Sequence, residues 1–225
     1  NNIDQFYNLP QNRILEVDVN GGEPTASKNY KKILANLPEN TIIVRMNTNG
    51  SRMIKELESI LSKRVMVIVT LSFDGVGDTH DYVRWPIKWK NYAKNVKAYQ
   101  DLQKQFPSLR LNSWTTVSCL NVANLPNILD FTTEHNIDHD WAFLNTPNVF
   151  HVKHRNRFTE FAKNKLQSSS YAQCRKIADS VAIGKDNDKQ LLDHINRQDT
   201  LRKIDYKDYF SFDPNFSRNN LANRS

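Results

Sequence analysis

Two adjacent glycines, Gly21 and Gly22, follow a short apolar run and precede Glu23 and Pro24 in the motif GGEP. Glycine allows a sharp turn and a close approach of the backbone to another molecule, because it has no Cβ atom. Such a turn exposes backbone N–H and C=O groups, and the proline makes the exit from the turn rigid. The glutamate adds a carboxylate that suits an ammonium group. The motif therefore favours a turn that binds a ligand.

A second polar motif follows the next apolar run. The stretch Asn47–Gly50 supplies short hydroxyl and amide groups on Thr48 and Asn49. Such side chains either contact a ligand or accept hydrogen bonds as the N-cap of the helix that follows. The residue types leave both interpretations open.

A third motif, SFDG, follows the next apolar run and continues into a charged loop. Ser72 offers a hydroxyl and Asp74 a carboxylate, and His80 and Arg84 follow in the same loop. An arginine binds a carboxylate through two parallel hydrogen bonds. Taken together, the three motifs describe a pocket for a zwitterionic amino acid that is joined to a ribose.

The elements that must position these motifs are those of an α/β chain. Short runs rich in β-branched or aromatic residues predict five strands: Arg13–Val19, Thr41–Asn47, Val65–Leu71, Arg110–Ser118 and His139–Leu144. Helical periodicity between the strands predicts four helices: Tyr30–Asn36, Ser51–Ser62, Trp89–Phe106 and Leu125–His135. This alternation indicates βαβ units and a parallel sheet.

The glycines are concentrated at one end of this predicted sheet. Five of the six follow the carboxyl ends of the first three strands. Ligands bind at this end of parallel α/β sheets and barrels. The need for turn residues explains glycine in these loops, but not its near absence from the other loops. The distribution therefore favours a ligand-binding rim.

The alternation stops after residue 150, where three further helices are predicted: Arg157–Leu166, Tyr171–Ile183 and Asp188–Ile204. We therefore predict a barrel domain of residues 1–150 and an α-helical appendage of residues 151–225. The net charge of +7 is concentrated in this appendage, which holds 15 Lys and Arg against 9 Asp and Glu. The excess either binds nucleic acid weakly or belongs to solvated helix faces.

The bulk composition excludes several classes. No run approaches the roughly 18 apolar residues that a membrane helix needs, so we expect no membrane partner. Two cysteines form no disulfide framework, and a reducing cytoplasm is the expected location.

The three motifs, in this order, resemble the radical S-adenosylmethionine (SAM) superfamily. The stretches GGEP, TNG and SFDGVGDTHDYVR carry the resemblance, which is strongest to the SPASM/twitch branch. It covers residues 15–144 well and the rest of the chain loosely. It implies a partial (β/α)6 TIM-like barrel with a twitch-like C-terminal segment. It also implies the SAM-binding core of an iron–sulfur oxidoreductase that generates a 5′-deoxyadenosyl radical.

The resemblance also implies roles for single residues. The backbone of Gly21–Pro24 would engage the methionine amino group of SAM, Ser72 its ribose and Arg84 its methionine carboxylate. Asn121 would assist, and the backbone near Phe143–Asn145 would line the adenine. The predicted cofactor-binding residues are Gly21, Gly22, Glu23, Pro24, Thr48, Asn49, Ser72, Asp74, Arg84, Asn121 and Leu144. No catalytic residue is assigned.

The chain departs from this family in its cysteines. The family holds a [4Fe–4S] cluster in a Cys-x-x-x-Cys-x-x-Cys loop after the first strand, and such a cluster requires thiolate ligands. Cys119 and Cys174 lie 55 residues apart and match no such loop. We therefore expect a fragment without the first strand, inactive by itself, whose cluster exists only in the full-length protein. A natural cluster-free relative is the alternative.

Further expectations concern partners. The loss of a first strand would expose a sheet edge, so we expect a homodimer through strand Arg13–Val19 or its neighbour. The substrate stays open among a peptide, a nucleoside and a small metabolite. The alternative function is a cluster-free barrel that binds nucleic acid or a peptide, and a phosphate-binding barrel enzyme is a third option. His151 and His154 have a metal-pair spacing but no third ligand, so a solvated pair is favoured and no metal site is predicted.

Overall fold

Five strands form one sheet in the computed structural model of the protein, which describes residues 2–210. They are β1 (Glu16–Val19), β2 (Ile43–Thr48), β3 (Met66–Ser72), β4 (Leu109–Val117) and β5 (Asp138–Phe143). Their order in the sheet is β1–β2–β3–β4–β5, and the β1–β2, β2–β3 and β3–β4 pairs are parallel. The five predicted strands are confirmed, with bounds that differ by three residues at most.

The register of these pairs places the strand ends where the sequence predicts them. Thr48, the last residue of β2, lies opposite Leu71 of β3, and Ser72, the last residue of β3, lies opposite Trp114 of β4. Because the strands are parallel, the loops that follow β1, β2 and β3 leave the same edge of the sheet. β1 lies at one end of the strand order, and a homodimer through this strand stays a prediction.

The helices connect the strands as the alternation predicts. Within residues 2–210 they are α1 (Asn2–Tyr7), α2 (Lys28–Ala35), α3 (Leu57–Leu61), α4 (Asp78–Val83), α5 (Trp89–Gln105), α6 (Leu125–Glu134), α7 (Arg157–Gln167), α8 (Ala172–Ala178) and α9 (Asp188–Arg202). Helix α5 shows why the periodic segments are predictable, because Tyr92, Val96 and Tyr99 recur at helical spacing and are all buried.

One predicted helix is half as long as expected. The stretch Ser51–Ser62 becomes helical only at Leu57. The buried Tyr99 hydroxyl accepts a hydrogen bond from the Ile54 N–H at 3.2 Å and donates to the Arg52 carbonyl at 3.2 Å. These contacts with a distant residue replace the helical hydrogen bonds of this segment. The prediction for residues 51–56 is therefore wrong.

Two further segments differ from the prediction. Helix α4 occupies six residues that the sequence analysis assigns to a loop. A helix of this length is too short to show a helical periodicity of apolar residues. Helix α8 ends at Ala178, five residues before the predicted end, and Ala182 then adopts a φ of 56° while its N–H bonds the Val152 carbonyl at 3.0 Å. This backbone conformation is incompatible with a continued helix.

Contacts group the described residues into two compact units. Unit 1 comprises residues 2–72, 90–114 and 137–140, and unit 2 comprises residues 73–89, 115–136 and 141–210. The division into domains of residues 1–150 and 151–225 stays a prediction, and residues 211–225 lie outside the described part of the chain. No helix within residues 2–210 is long and apolar enough to span a membrane.

Unit 2 has its own aromatic core. Tyr82, Phe158, Tyr206, Tyr209 and Phe210 are buried in one apolar cluster together with aliphatic side chains of α9. The Tyr82 hydroxyl donates to the Asp199 carboxylate at 2.8 Å, so its polar end is satisfied inside this cluster. This core fixes α9 to the other parts of unit 2.

Candidate functional site

The glycine doublet forms an exposed turn in unit 1, directly after β1. Gly21 has a φ of 85° and Gly22 a φ of 66°, a region that residues with a Cβ adopt only at a cost. The Tyr30 hydroxyl lies 2.7 Å from the Asn20 carbonyl oxygen and also contacts the Gly21 carbonyl oxygen. Within the described residues, neither backbone group of Gly22 has a hydrogen-bond partner. The turn therefore presents one free N–H and one free C=O to solvent.

Glu23 ties this turn to the loop after β2. Its Oε1 accepts hydrogen bonds from the Thr25 N–H at 3.2 Å, the Thr25 hydroxyl at 2.9 Å and the Thr48 hydroxyl at 2.9 Å. Its Oε2 accepts from the Asn49 N–H at 2.7 Å. All four donors are neutral, and no salt bridge involves this carboxylate within the described part of the chain. The negative charge beside the turn is thus held in place but not neutralised.

The loop after β2 organises itself locally. The Asn49 side-chain oxygen accepts from the Ser51 N–H at 2.9 Å, and the Thr48 hydroxyl accepts from the Gly50 N–H at 3.2 Å. These residues do not cap the next helix, because α3 begins at Leu57. The capping interpretation of the TNG motif is therefore wrong, and ligand contact by Thr48 and Asn49 stays a prediction.

Pro24 and Ser72 complete the predicted residues of unit 1. Pro24 is buried at the first position of a short 3-10 helix, where its missing N–H has no consequence. Ser72 is half-buried at the end of β3, and its hydroxyl has no hydrogen-bond partner among residues 2–210. Its hydroxyl therefore remains available to a ligand.

In unit 2, Asp74 and Arg84 bind each other. An Arg84 guanidinium nitrogen lies 2.8 Å from Asp74 Oδ2, and the Thr116 N–H donates to Asp74 Oδ1 at 2.8 Å. Burial raises the pKa of the Asp74 carboxyl, while the Arg84 charge and the Thr116 hydrogen bond oppose this increase. The arginine that the sequence predicts as a ligand for a carboxylate is thus already paired with a carboxylate of its own chain.

Asn121 connects the Asp74 loop to the end of β4. Its side-chain oxygen accepts from the Ser118 N–H at 2.7 Å, and its amide nitrogen donates to the carbonyls of Asp74 at 3.1 Å and Thr116 at 3.0 Å. The side chain is fully buried. These bonds account for the presence of an asparagine here without any ligand.

His80 lies beneath the same loop. It is fully buried, and its ring lies edge-on to Trp89 with the ring centroids 5.5 Å apart. Burial, together with the nearby Arg84 charge, lowers the pKa of His80 to about 4. The imidazole is therefore neutral at physiological pH.

Leu144 lies beside an apolar cavity of about 240 Å³ in unit 2. Its N–H donates to the Val117 carbonyl at 2.8 Å. Phe150 and Ile195 contribute apolar walls, and Arg202 is the charged residue at the cavity. An adenine contact at Leu144 stays a prediction.

Within the described residues, the cysteines and histidines form no metal site. Cys119 and Cys174 are both buried and free, and burial raises the pKa of each thiol. The His151 and His154 rings lie 6.5 Å apart, and His151 Nδ1 accepts a hydrogen bond from the Lys153 N–H. Within residues 2–210, no group of three or more His, Cys, Asp or Glu side chains could hold a metal ion.

Sequence reasoning missed the role of Tyr30. This residue belongs to the predicted helix after the turn, and its spacing suggested only helix packing. The hydroxyl instead folds back onto the carbonyls that precede Gly22. A tyrosine eight residues after the Gly21–Gly22 turn gives no local signal for such a contact.

The chain is similar to solved structures of SuiB from Streptococcus suis. No family model matches the sequence, and no curated protein sequence matches it. SuiB bound to S-adenosylmethionine gives a TM-score of 0.46 at 18% identity, over 85% of this chain and 36% of SuiB. SuiB bound to its precursor peptide SuiA gives a TM-score of 0.49 at 20% identity, over 90% of this chain and 40% of SuiB. The chain thus spans less than half of the length of these neighbours.

Proposed function

We propose that this chain binds S-adenosylmethionine and that the Gly21–Gly22 turn holds the amino group of its methionine part. One observation carries the proposal: the turn is anchored by Tyr30 and Glu23, while the Gly22 carbonyl stays exposed and without a partner among the described residues. A fixed carbonyl that is free to accept is what an ammonium donor requires. Because the turn is already ordered, binding does not have to order it.

The electrostatics of the turn agree with a cationic ligand group. The Glu23 carboxylate accepts four hydrogen bonds from neutral donors and has no cationic partner among residues 2–210. Its charge favours a nearby ammonium even without direct contact, because the field of a partly buried charge is weakly screened. Glu23 is thus a positioning residue that also supplies a favourable field.

The proposal extends to the class that the motifs resemble. It includes the SAM-binding core of a radical SAM oxidoreductase, a partial (β/α)6 barrel and a twitch-like C-terminal segment. A [4Fe–4S] cluster does not fit the described residues, because Cys119 and Cys174 are each buried and no metal-binding group surrounds them. We therefore assign SAM binding to this chain and derive no catalytic step.

The other residue assignments are separate parts of the proposal. Ser72 is assigned to the ribose, Arg84 to the methionine carboxylate and Leu144 to the adenine, each on the motif resemblance. For Arg84, the assignment requires that the guanidinium either releases Asp74 to bind the SAM carboxylate or binds both carboxylates at once. The proposed substrate is a peptide, a nucleoside or a small metabolite.

Binding of SAM to the purified chain tests the proposal. Titration calorimetry should give saturable binding of SAM and weaker binding of 5′-methylthioadenosine, which lacks the amino acid part. Gly22→Ala should weaken SAM by about tenfold or more, equivalent to about 1.4 kcal/mol, because the new Cβ obstructs the approach to the carbonyl. The same change should leave 5′-methylthioadenosine binding unaltered.

Gly77→Ala is the matched control. Gly77 also has a positive φ, of 63°, and a Cβ there would also meet nothing within 4 Å, but it lies in unit 2. Both variants therefore place an alanine at a positive φ. Equal loss of SAM affinity in the two variants, or no saturable binding to the wild-type chain, would refute the proposal.

A further inference from the structure

A second cavity in unit 2 combines aromatic walls with two unpaired opposite charges. It has a volume of about 240 Å³, and Asp78, Phe158, Phe161, Lys165 and Tyr209 are among the residues around it. We call it the Lys165 cavity. It is formed by the start of α4, by residues 119–127, by α7 and by residues 209–210. None of the predicted SAM-binding residues lines it.

The two charged groups at the Lys165 cavity lack partners. Within the described residues, neither the Lys165 ammonium nor the Asp78 carboxylate forms a salt bridge or a hydrogen bond. Lys165 is half-buried and Asp78 is exposed. Burial lowers the pKa of Lys165, whereas burial and repulsion from Asp81 raise the pKa of Asp78 and attraction by Lys88 opposes this increase. The half-buried Lys165 ammonium therefore lacks the protein contact that would offset its loss of hydration. A ligand with both charges would supply the two missing contacts.

Aromatic side chains form part of the wall of the Lys165 cavity. Phe158, Tyr209 and Phe210 are buried at the cavity, and Phe158 and Phe210 meet edge to face with centroids 5.1 Å apart. Phe161 at the same cavity is 39% exposed. A ring placed among these side chains would gain both apolar burial and edge-to-face contacts.

The lining therefore selects the chemistry of the occupant. One ammonium and one carboxylate favour a zwitterion over a phosphate, since the carboxylate repels any anion that lacks a positive group. The amide of Asn127 and the hydroxyl of Thr79 add neutral hydrogen-bonding groups at the cavity. The volume lies below the roughly 300–1,000 Å³ of pockets for drug-sized ligands, which points to a molecule of single amino-acid size.

We propose that the Lys165 cavity binds a free α-amino acid with an aromatic side chain, with Lys165 on its carboxylate and Asp78 on its ammonium group. The aromatic side chain lies against Phe158, Phe161 and Tyr209. This proposal does not depend on SAM binding at the Gly21–Gly22 turn, because none of the residues assigned to SAM lines the Lys165 cavity.

Titration calorimetry and ligand-detected NMR with L-phenylalanine test the proposal on the full chain. L-Phenylalanine should bind saturably, and three analogues should each bind at least about tenfold more weakly. These are phenylpropionate, which lacks the ammonium group, phenethylamine, which lacks the carboxylate, and L-alanine, which lacks the ring. Tenfold corresponds to the loss of one charge-assisted hydrogen bond or one ring contact.

Charge variants assign the contacts. Lys165→Met should weaken the binding of L-phenylalanine by about tenfold or more but leave the binding of phenethylamine, which has no carboxylate, unaffected. Asp78→Asn should weaken the binding of L-phenylalanine by a similar factor but leave the binding of phenylpropionate, which has no ammonium group, unaffected. Lys163→Met on the same helix and Asp193→Asn on α9 are the matched controls, since neither residue lines the cavity. All four positions are at least partly exposed, so thermal unfolding should be little changed.

Three results would overturn the proposal. The first is an absence of saturable L-phenylalanine binding up to about 10 mM, a concentration that corresponds to a binding free energy of under 3 kcal/mol. The second is an equal effect of the cavity variants and their controls. The third is competition between SAM and L-phenylalanine together with loss of SAM binding in Lys165→Met, which would assign the charged pair to SAM. Loss of SAM binding in Gly22→Ala alone would leave the proposal intact.

Discussion

Replacing Gly50 by alanine is the most direct test of how the loop after β2 is built. Gly50 has a φ of 68°, and a Cβ at this position would lie 2.5 Å from Cε2 and 2.8 Å from Cδ2 of Tyr92. The Tyr92 ring is almost fully buried, so it cannot move aside into solvent. The substitution therefore combines an unfavourable backbone conformation with a steric overlap in the core.

The two costs can be estimated separately. An L-residue in the left-handed region costs about 1–2 kcal/mol, and overpacking of a buried site costs about 1–3 kcal/mol. The free energy of unfolding should therefore fall by about 2–5 kcal/mol in Gly50→Ala. Gly22→Ala has a nearly identical φ of 66° but open space around the new Cβ, so it should lose only the first 1–2 kcal/mol.

Urea unfolding followed by far-UV circular dichroism measures the free energy of unfolding of both variants. A shift of the midpoint with an unchanged dependence on urea concentration reports a change in stability. Tyr92→Leu provides the second control, because a smaller side chain removes the atoms that the new Cβ would meet. Gly50→Ala should cost less in the Tyr92→Leu background than in the wild-type chain. Equal destabilisation by Gly50→Ala and Gly22→Ala, or no coupling to Tyr92, would refute the steric argument.

Three further perturbations follow from the contacts of both units. Glu23→Gln should lower the free energy of unfolding by about 1–3 kcal/mol, because an amide presents one acceptor to four donors. Thr48→Val should then destabilise the Glu23→Gln variant less than it destabilises the wild-type chain. Additive effects of the two substitutions would contradict this prediction. Arg84→Gln should destabilise by about 1–3 kcal/mol more than Asp74→Asn, since it leaves a buried carboxylate unpaired; equal urea midpoints would count against it. The His80 pKa of about 4 lies below its ordinary value of 6.5, so the unfolded chain binds more protons between these values. The free energy of unfolding should therefore rise by about 3 kcal/mol as the pH increases from about 4 to 6.5, and His80 should contribute no further increase above this range. In His80→Gln, the free energy of unfolding should depend less steeply on pH.

The predictable part of the fold is the part whose signal is local. Buried and more exposed residues alternate along the four residues of β1 and the nine residues of β4, and α5 carries three buried residues at helical spacing. Neither signal needs information from elsewhere in the chain. Residues 51–56 show the opposite case, because their periodicity is helical while a hydroxyl from Tyr99 holds them in another conformation.

The candidate site divides along the same line. The motif spacing correctly suggests that polar loops follow β1, β2 and β3, since the carboxyl ends of parallel strands share an edge. It does not show which side chains these loops use for one another. Glu23 meets Asn49 across 26 residues, and Asn121 meets Asp74 across 47 residues. A motif of isolated residue types looks the same whether its groups bind a ligand or tie two loops together.

This ambiguity decides how variants of this chain must be interpreted. Glu23, Arg84 and Asn121 all contact other residues of the protein through their charged or polar ends. When a substitution of Glu23, Arg84 or Asn121 lowers the affinity for SAM, the cause is therefore either a lost ligand contact or a displaced loop. A lost contact weakens only ligands with the matching group, whereas a displaced loop weakens all ligands and lowers stability together. The Gly22 carbonyl has no partner among residues 2–210, so the selective loss of amino-acid-bearing ligands in Gly22→Ala separates the two causes.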